Sequence, residues 1–333
     1  MGYLPVAALA FGIALVACPA VLLVLRRLQV LDVPTARSSH QVVTPRGGGV
    51  APGLACVLAA AVSTQLVGSD RDALLVVSVG LGLLGLADDL RPQPVPLRLG
   101  AQVIVALVAL IWLLRGLDDG ALVASAAGMG IVVGLVGYTN AFNFMDGING
   151  LAVAQVVAAG GTWWLIGWQE HVPALAAAGA IAAAAAIGFA PFNTPKATMF
   201  LGDVGSYCLG GWLAVAAVIG LRAGIAPEAV LAPLSLFLAD AGVTLLERVR
   251  RRQPWSQPHR DHTYQRLVQA GWSHGHTTLV VGLVMVITSA LGALSLTGTP
   301  ILRVAGDVVG LVVLAAYLRL PAVLAGRAAA AAP

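Results

Sequence analysis

The chain has 333 residues, of which 59% are hydrophobic and 10% charged, with a formal net charge of +4 and a mean hydropathy of +0.89. About a quarter of the residues of a soluble domain are charged, so this composition excludes one and fits a polytopic membrane protein, whose spans each need roughly 20 mostly apolar residues. The three cysteines, Cys18, Cys56 and Cys208, are scattered in apolar segments without metal or disulfide spacing, and the basic excess is read as membrane topology before nucleic-acid binding.

In chain order, about eleven segments read as spans: residues 3–25, 49–68, 73–87, 98–114, 121–139, 151–168, 173–191, 205–222, 229–246, 276–296 and 303–323. The expected fold class is all-α, a polytopic membrane helix bundle of about eleven transmembrane helices in one integral-membrane domain over residues 1–333. Abundant alanine and glycine suit close helix packing in lipid. The first span has no basic residue before it and Arg26-Arg27 after it, which predicts a retained helix with its N-terminus outside. The loops then alternate. Fifteen basic residues fall on the cytoplasmic set, and four (Arg71, Arg115, Arg222 and Arg303) on the outside set. That asymmetry predicts a cytoplasmic C-terminus and a site on the cytoplasmic face of the inner or plasma membrane.

The first cytoplasmic loop, LDVPTARSSHQVVTPRGGG, carries Arg37, His40 and Arg46 as candidates for contacting anionic lipid or a substrate phosphate. Arg46 abuts three glycines, which favours a built site over a simple topological charge.

Four aspartates lie at cytoplasmic helix ends. Asp88 and Asp89 close the third span in GLADDLRPQ, Asp146 follows the fifth in NAFNFMDGING, and Asp203 opens the eighth in FLGDVGS. A lone Asp-Gly pair reads as a turn. Adjacent carboxylates at a helix C-terminus, however, face the negative end of its dipole and need a cation. Arg91 is the nearest candidate partner for the first pair. A divalent metal would serve all four: magnesium takes one or two carboxylates with substrate phosphate and water, and manganese accepts the same oxygens. Asp203 and Ser206 at a helix start suit a phosphate, because the orphan amides and the dipole point at it. A metal beside a phosphate site is the apparatus of phosphoryl transfer.

The last long loop, ERVRRRQPWSQPHRDHTYQRLVQAGWSH, concentrates His259, Arg260, His262, Tyr264 and Gln265. His259 and His262 alone make a weak zinc signal; three donors and an aromatic suit a nucleotide diphosphate better. Asp240 lies within the ninth span, where a carboxylate is costly and marks a functional candidate. It is expected to reach a cytoplasm-facing cavity.

Taken in order, D-x-P-x-x-R-x-x-H with P-R-G-G-G (32–49), A-D-D-L (87–90), N-x-x-N-x-x-D-G-x-x-G-L (140–151), F-x-G-D-x-G-S (200–206), Asp240 and H-R-x-H-x-Y-Q (259–265) resemble the polyprenyl-phosphate N-acetylhexosamine-1-phosphate transferases. The resemblance runs from about residue 32 to 276. It implies transfer of a sugar 1-phosphate from a UDP-HexNAc to polyprenyl (undecaprenyl) phosphate, with release of UMP. By motif, Asp88 would orient or deprotonate the lipid phosphate with Asp89 in support, and Asp146 would join them as a catalytic carboxylate. Asp203 would bind magnesium, with Asp146 in the same cluster. Phe200 would stack on uracil, Asn140 and Asn143 would serve the nucleotide or metal shell, and His259, Arg260 and His262 would hold the diphosphate or sugar.

Direct attack by the lipid phosphate is favoured, and a covalent aspartyl intermediate stays open. Asn149 stands where some relatives have Asp. Thr198 stands where relatives often have Lys or Arg, which leaves the role of Lys196 in doubt. The loop H-R-D-H-T-Y-Q looks more like the O-antigen-initiating branch than the peptidoglycan pentapeptide enzyme, which implies lipopolysaccharide O-antigen biosynthesis and a smaller UDP-HexNAc, a 6-deoxy one included. Membrane lipid is an expected partner, nucleic acid is not, and a homodimer is open. The competing class is a transporter or lipid flippase. All of this needs Asp88, Asp146 and Asp203 to converge on a single cation.

Overall fold

The architecture comes from a computed structural model, which describes residues 2–34, 42–115, 121–254, 257 and 259–330. It is an all-α bundle. Ten helices among the described residues are long and apolar enough to cross a membrane. In chain order the chain forms α1 (Leu4–Arg27), a minimal hairpin of β1 (Leu31–Asp32) and β2 (Thr44–Pro45), α2 (Val50–Val62), α3 (Gly68–Leu90), α4 (Val95–Leu113) and α5 (Ala121–Met145). It continues with α6 (Leu151–Gln169), α7 (Pro173–Asn193), α8 (Gly202–Arg222), α9 (Pro227–Leu231), α10 (Ser235–Arg250), α11 (Thr263–Gln269), α12 (His274–Ala293) and α13 (Pro300–Ala330).

The second of the eleven expected spans is the exception. It was expected over 49–68, but α2 stops after 13 residues, about 20 Å of helix against a hydrocarbon core of about 30 Å. Ser63 ends it: its backbone turns extended, and its hydroxyl accepts the amides of Gln65 and Leu66 at 3.3 and 3.2 Å. The chain still returns to the far end, since a Cβ on Gly2 would lie 2.9 Å from the Gln65 amide. The ninth span is broken as well. A 3-10 turn at Ala232–Leu234 separates α9 from α10, where Pro233 removes a backbone donor. The fifth is longer than its apolar run, so α5 carries Asn140 and Asn143 on its last turns, three residues apart and on one face.

The bundle is organised around α8, whose most apolar window is 89% buried, against 11% for the peripheral α13. Close approach of α2 to α8 requires glycine, because a Cβ on Gly49 would sit 2.2 Å from the Gly205 Cα. The first loop is zipped to the segment before α8. The Phe200 amide donates to the Pro45 carbonyl (2.8 Å), and the Gly48 and Gly49 amides donate to the carbonyls of Phe200 (2.8 Å) and Leu201 (2.7 Å). This zipper aims Arg46 at the start of α8.

Candidate active site

Four chain segments meet at one end of the bundle: the end of α3, the end of α5, the start of α8 and the loop at 44–49. The fully enclosed Asp89 carboxylate accepts the amides of Asp203 and Val204, both at 2.9 Å. It thereby caps the first turn of α8 from another helix, satisfying amides that have no partner within α8. Gly202 must be glycine here, since its φ is +75° and a Cβ would lie 2.6 Å from Asp89 Oδ2.

Arg46 bridges two of the acids, with Nε 2.7 Å from Asp89 Oδ1 and Nη2 2.6 Å from Asp203 Oδ2. Burial opposes the Arg46 charge, but the Asp203, Asp89 and Asp32 carboxylates more than reverse it, so its pKa stands above the ordinary arginine value. Asn143 donates to the other Asp203 oxygen (2.7 Å) and to Ser206 Oγ (2.9 Å). Asp88 lies against Asp203 at the edge of this group. It accepts the Gln93 amide (2.6 Å) and Arg98 Nη1 (2.7 Å), and Arg98 in turn lies 3.5 Å from the Tyr207 hydroxyl.

Among the described residues the Asp146 carboxylate has no hydrogen-bonding partner. Burial raises its pKa well above the usual carboxylate range, and repulsion from Asp203 and Asp89 adds to this against the pull of Arg46. Asp88, Asp89, Asp146 and Asp203 thus outnumber the two guanidinium groups that face them, Arg46 and Arg98.

Two cavities open on this cluster. One, about 620 Å³, is mostly apolar, walled by Val95, Leu99, Val136, Leu238 and Leu245 with Arg98 and Tyr207 at its polar edge. The other, about 290 Å³, is polar, walled by Asp32, Asp146, Asn149, Asn193, Phe200 and His274. Arg46, Asn143, Asp203 and Gln265 line both. The partition between a greasy groove and a polar pocket is therefore the arginine–aspartate–asparagine cluster itself.

Residues 72–221 match the family model described as glycosyl transferase family 4. The chain is 26% identical over 285 residues to a probable undecaprenyl-phosphate N-acetylglucosaminyl 1-phosphate transferase of Bacillus subtilis (strain 168), covering 83% of this chain and 80% of the relative. It is 28% identical to a phospho-N-acetylmuramoyl-pentapeptide-transferase of Geobacillus kaustophilus (75% and 82% covered). It is also 28% identical to a decaprenyl-phosphate N-acetylglucosaminephosphotransferase of Mycobacterium tuberculosis (81% and 76% covered). These matches support the polyprenyl-phosphate N-acetylhexosamine-1-phosphate transferase family for this chain. They favour a membrane phosphotransferase over the transporter reading.

The fold brings together most of the residues expected from the sequence. Asp88, Asp89, Asp146, Asp203, Asn143 and Arg46 share one cluster. Asn140 stands beside it on α5, its amide held by Gln102 Oε1 (2.6 Å) and the Val136 carbonyl (2.8 Å). Phe200 and Asn149 wall the polar pocket, and Asn149 also donates to the Pro195 carbonyl (3.0 Å). His259 and His262 line the apolar groove. Lys196 is exposed and Arg260 half-buried, and neither lines either cavity. Arg37 and His40 lie outside the described residues.

Three expectations are corrected. No three His, Cys, Asp or Glu side chains among the described residues group as a metal cage, and Asp88, though beside Asp203, is held by Arg98, so the expected three-carboxylate cation site narrows to Asp203 and Asp146. The partner of Asp88 is Arg98, not Arg91, because Pro94 starts α4 and carries Arg98 back over the end of α3. Asp240, in turn, does not reach a cavity. It is fully buried and accepts from Tyr317 Oη (2.7 Å), the Thr263 amide (3.0 Å), His262 Nδ1 (3.3 Å) and Thr244 Oγ1 (3.3 Å). It is the anchor of the histidine loop.

Arg248 secures the same loop by pairing with Asp261 and donating to the Pro254 carbonyl (2.8 Å). The His259 and His262 rings lie 5.0 Å apart. Burial, then the His262 and Arg248 charges, push the His259 pKa down to about 4, with Asp261 opposing, so His259 is neutral at neutral pH. Gln102 and Tyr317 had no signal in the sequence, each being a polar side chain in a largely apolar run, whereas Tyr207 directly follows Ser206 at the end of the F-x-G-D-x-G-S motif and was passed over.

Proposed function

We propose that the chain transfers a HexNAc 1-phosphate from a UDP-HexNAc to polyprenyl phosphate, releasing UMP, at the cytoplasmic face of the membrane. The observation that carries this reading is the pair of cavities sharing one charged wall. A lipid phosphate whose tail lies in the apolar groove and a nucleotide sugar in the polar pocket would face each other across Arg46, Asn143 and Asp203. Phosphoryl transfer asks a protein for this in-line positioning and for charge stabilisation more than for covalent chemistry.

In the reaction, an oxygen of the lipid phosphate bonds to the phosphorus that carries the sugar. The bond from that phosphorus to the oxygen bridging it to UMP breaks, and UMP leaves with that oxygen. Arg98, at the edge of the groove and on Asp88, is placed to receive the lipid phosphate. Arg46 is placed to hold the diphosphate. Phe200 is available to the uracil. Asp89 sets the height of α8, and with it the position of Asp203.

The donor set fits magnesium: Asp203 and Asp146 offer only oxygens, carry charge that Arg46 leaves uncompensated, and suit a cation that completes its shell with phosphate and water. Bound there, the ion would screen the phosphates from each other and neutralise charge on the leaving group. The fifteen-to-four distribution of basic residues supports the cytoplasmic placement. The test is UMP release by purified protein given undecaprenyl phosphate and a panel of UDP-sugars, with the lipid product identified by mass. No release with any sugar would overturn the reading.

A further inference from the structure

Arg98 stands at the candidate site with a single guanidinium nitrogen committed. Its Nη1 donates to Asp88 Oδ2 at 2.7 Å and lies 3.5 Å from the Tyr207 hydroxyl. Its Nε and Nη2 bond to nothing among the described residues. A guanidinium carries five N–H donors in a planar fork. Nη1 has two of them, one for each of its neighbours. The other three lie along the Nε–Nη2 edge, which is the edge that meets two oxygens of a phosphate side by side.

Three helices set this arrangement. Arg98 is in the first turn of α4, Asp88 is at the end of α3, and Tyr207 is in the second turn of α8. Asp88 alone does not fix the orientation, because a carboxylate accepts along several directions and the Arg98 side chain is 28% exposed. Tyr207 is the immobile element: it is 1% exposed, on the helix around which the bundle is organised. At 3.5 Å its hydroxyl is at the long end of a hydrogen bond, so it works both as a weak acceptor and as a stop. A guanidinium that swung past it to offer Nη2 to Asp88 would turn a different edge to the groove, which Arg98 and Tyr207 both line.

We propose that Tyr207 is a positioning residue for the acceptor phosphate: its hydroxyl keeps Arg98 Nη1 against Asp88 and so leaves the Nε–Nη2 edge as a ready fork for two phosphate oxygens. This rests on the reading that Arg98 receives the lipid phosphate. Tyr207 acts through Arg98 and not by touching the substrate. The phosphate gains because the side chain is ordered before it binds, so less of the binding energy goes into orienting the guanidinium.

Tyr207→Phe removes the hydroxyl and keeps the ring, so it tests the contact without opening a cavity. The measurement is calorimetric binding of farnesyl phosphate to the purified protein, paired with farnesol, which has the same tail and no phosphate. Tyr207→Phe should weaken farnesyl phosphate about three- to tenfold, the scale of one net hydrogen bond, and leave farnesol unchanged. In turnover, KM for undecaprenyl phosphate should rise by the same factor, with kcat and KM for the UDP-sugar within about twofold of wild type. In an Arg98→Ala background the same substitution should have no further effect, because the two residues act as one unit. Arg98→Lys, which keeps the charge but has no fork, is the second background and should behave alike. Unchanged farnesyl phosphate binding in Tyr207→Phe, an equal loss for farnesol, or an undiminished loss in both Arg98 backgrounds would overturn the positioning role. None of these outcomes touches the transferase reading, which falls instead if the wild-type protein releases no UMP, and the binding comparison reports on Tyr207 in either case.

Discussion

Asp203 and Asp240 are both buried carboxylates in a membrane bundle, and their surroundings are opposite. Asp240 accepts from four neutral or histidine donors and faces no cavity. Asp203 stands among Asp88, Asp89 and Asp146, shares a single bridging arginine with Asp89, and forms the wall of two cavities. A carboxylate whose lone pairs are filled by its own protein is architecture, because nothing more is gained by bringing it a ligand. A cluster left with net negative charge is built for something else, since such an excess is tolerated in a low-dielectric setting only if a cation or a donor-rich ligand completes it.

That contrast can be broken most directly by exchanging each acid for its amide. Asp203→Asn should reduce magnesium-dependent UMP release by about 10²–10³-fold or more while leaving the protein folded in detergent. Asp240→Asn should instead lower the melting temperature, and Tyr317→Phe should do so more mildly, at about 1.5–3 kcal/mol for one hydrogen bond to a charged group. With the histidine loop loosened, both should raise KM for the lipid phosphate, whose groove His259 and His262 line, more than they lower kcat. Equal stability losses in Asp203→Asn and Asp240→Asn would dissolve the distinction.

The next effect in size is a proton–metal competition at Asp146. Its folded-state pKa is raised, so the native protein holds this proton more tightly than the unfolded chain does. The stability it contributes is present in acid and is lost as pH rises through that raised pKa. A cation bound by the ionised carboxylate must displace that proton. Apparent magnesium affinity should therefore weaken as the pH is taken from mildly alkaline to mildly acidic. Asp146→Asn should flatten that dependence and raise the melting temperature of metal-free protein at neutral pH. Titration of magnesium against activity and against melting temperature at several pH values checks both. The smallest effect belongs to Lys196, exposed and outside both cavities. Lys196→Ala should change kcat/KM by less than about twofold, within the usual ±0.5 kcal/mol of a surface change, and a larger loss would restore it to the site.

Much of the bundle was legible because the signals were local. Apolar length announces a span, and an Asp at a span's end announces a polar site, whatever the rest of the chain does. The boundaries that failed did so for equally local but weaker reasons. One serine hydroxyl stops α2, and one proline breaks the helix before α10. The clustering of Asp88, Asp89, Asp146 and Asp203 was legible as motif chemistry. The division of labour within it was not: Asp88 and Asp89 are neighbours in sequence, yet one holds Arg98 and the other caps α8.

Composition, span length and the order of the polar islands by themselves determined that this is an all-α membrane bundle with acidic residues at its helix ends. These are properties of residues and their near neighbours, and no partner is needed to express them. Only the tertiary structure decided which guanidinium meets which carboxylate, and that Asp240 is an anchor rather than a ligand-facing acid. Those facts depend on contacts between residues tens to hundreds of positions apart, whose geometry is set by helix packing and leaves no periodic trace along the chain.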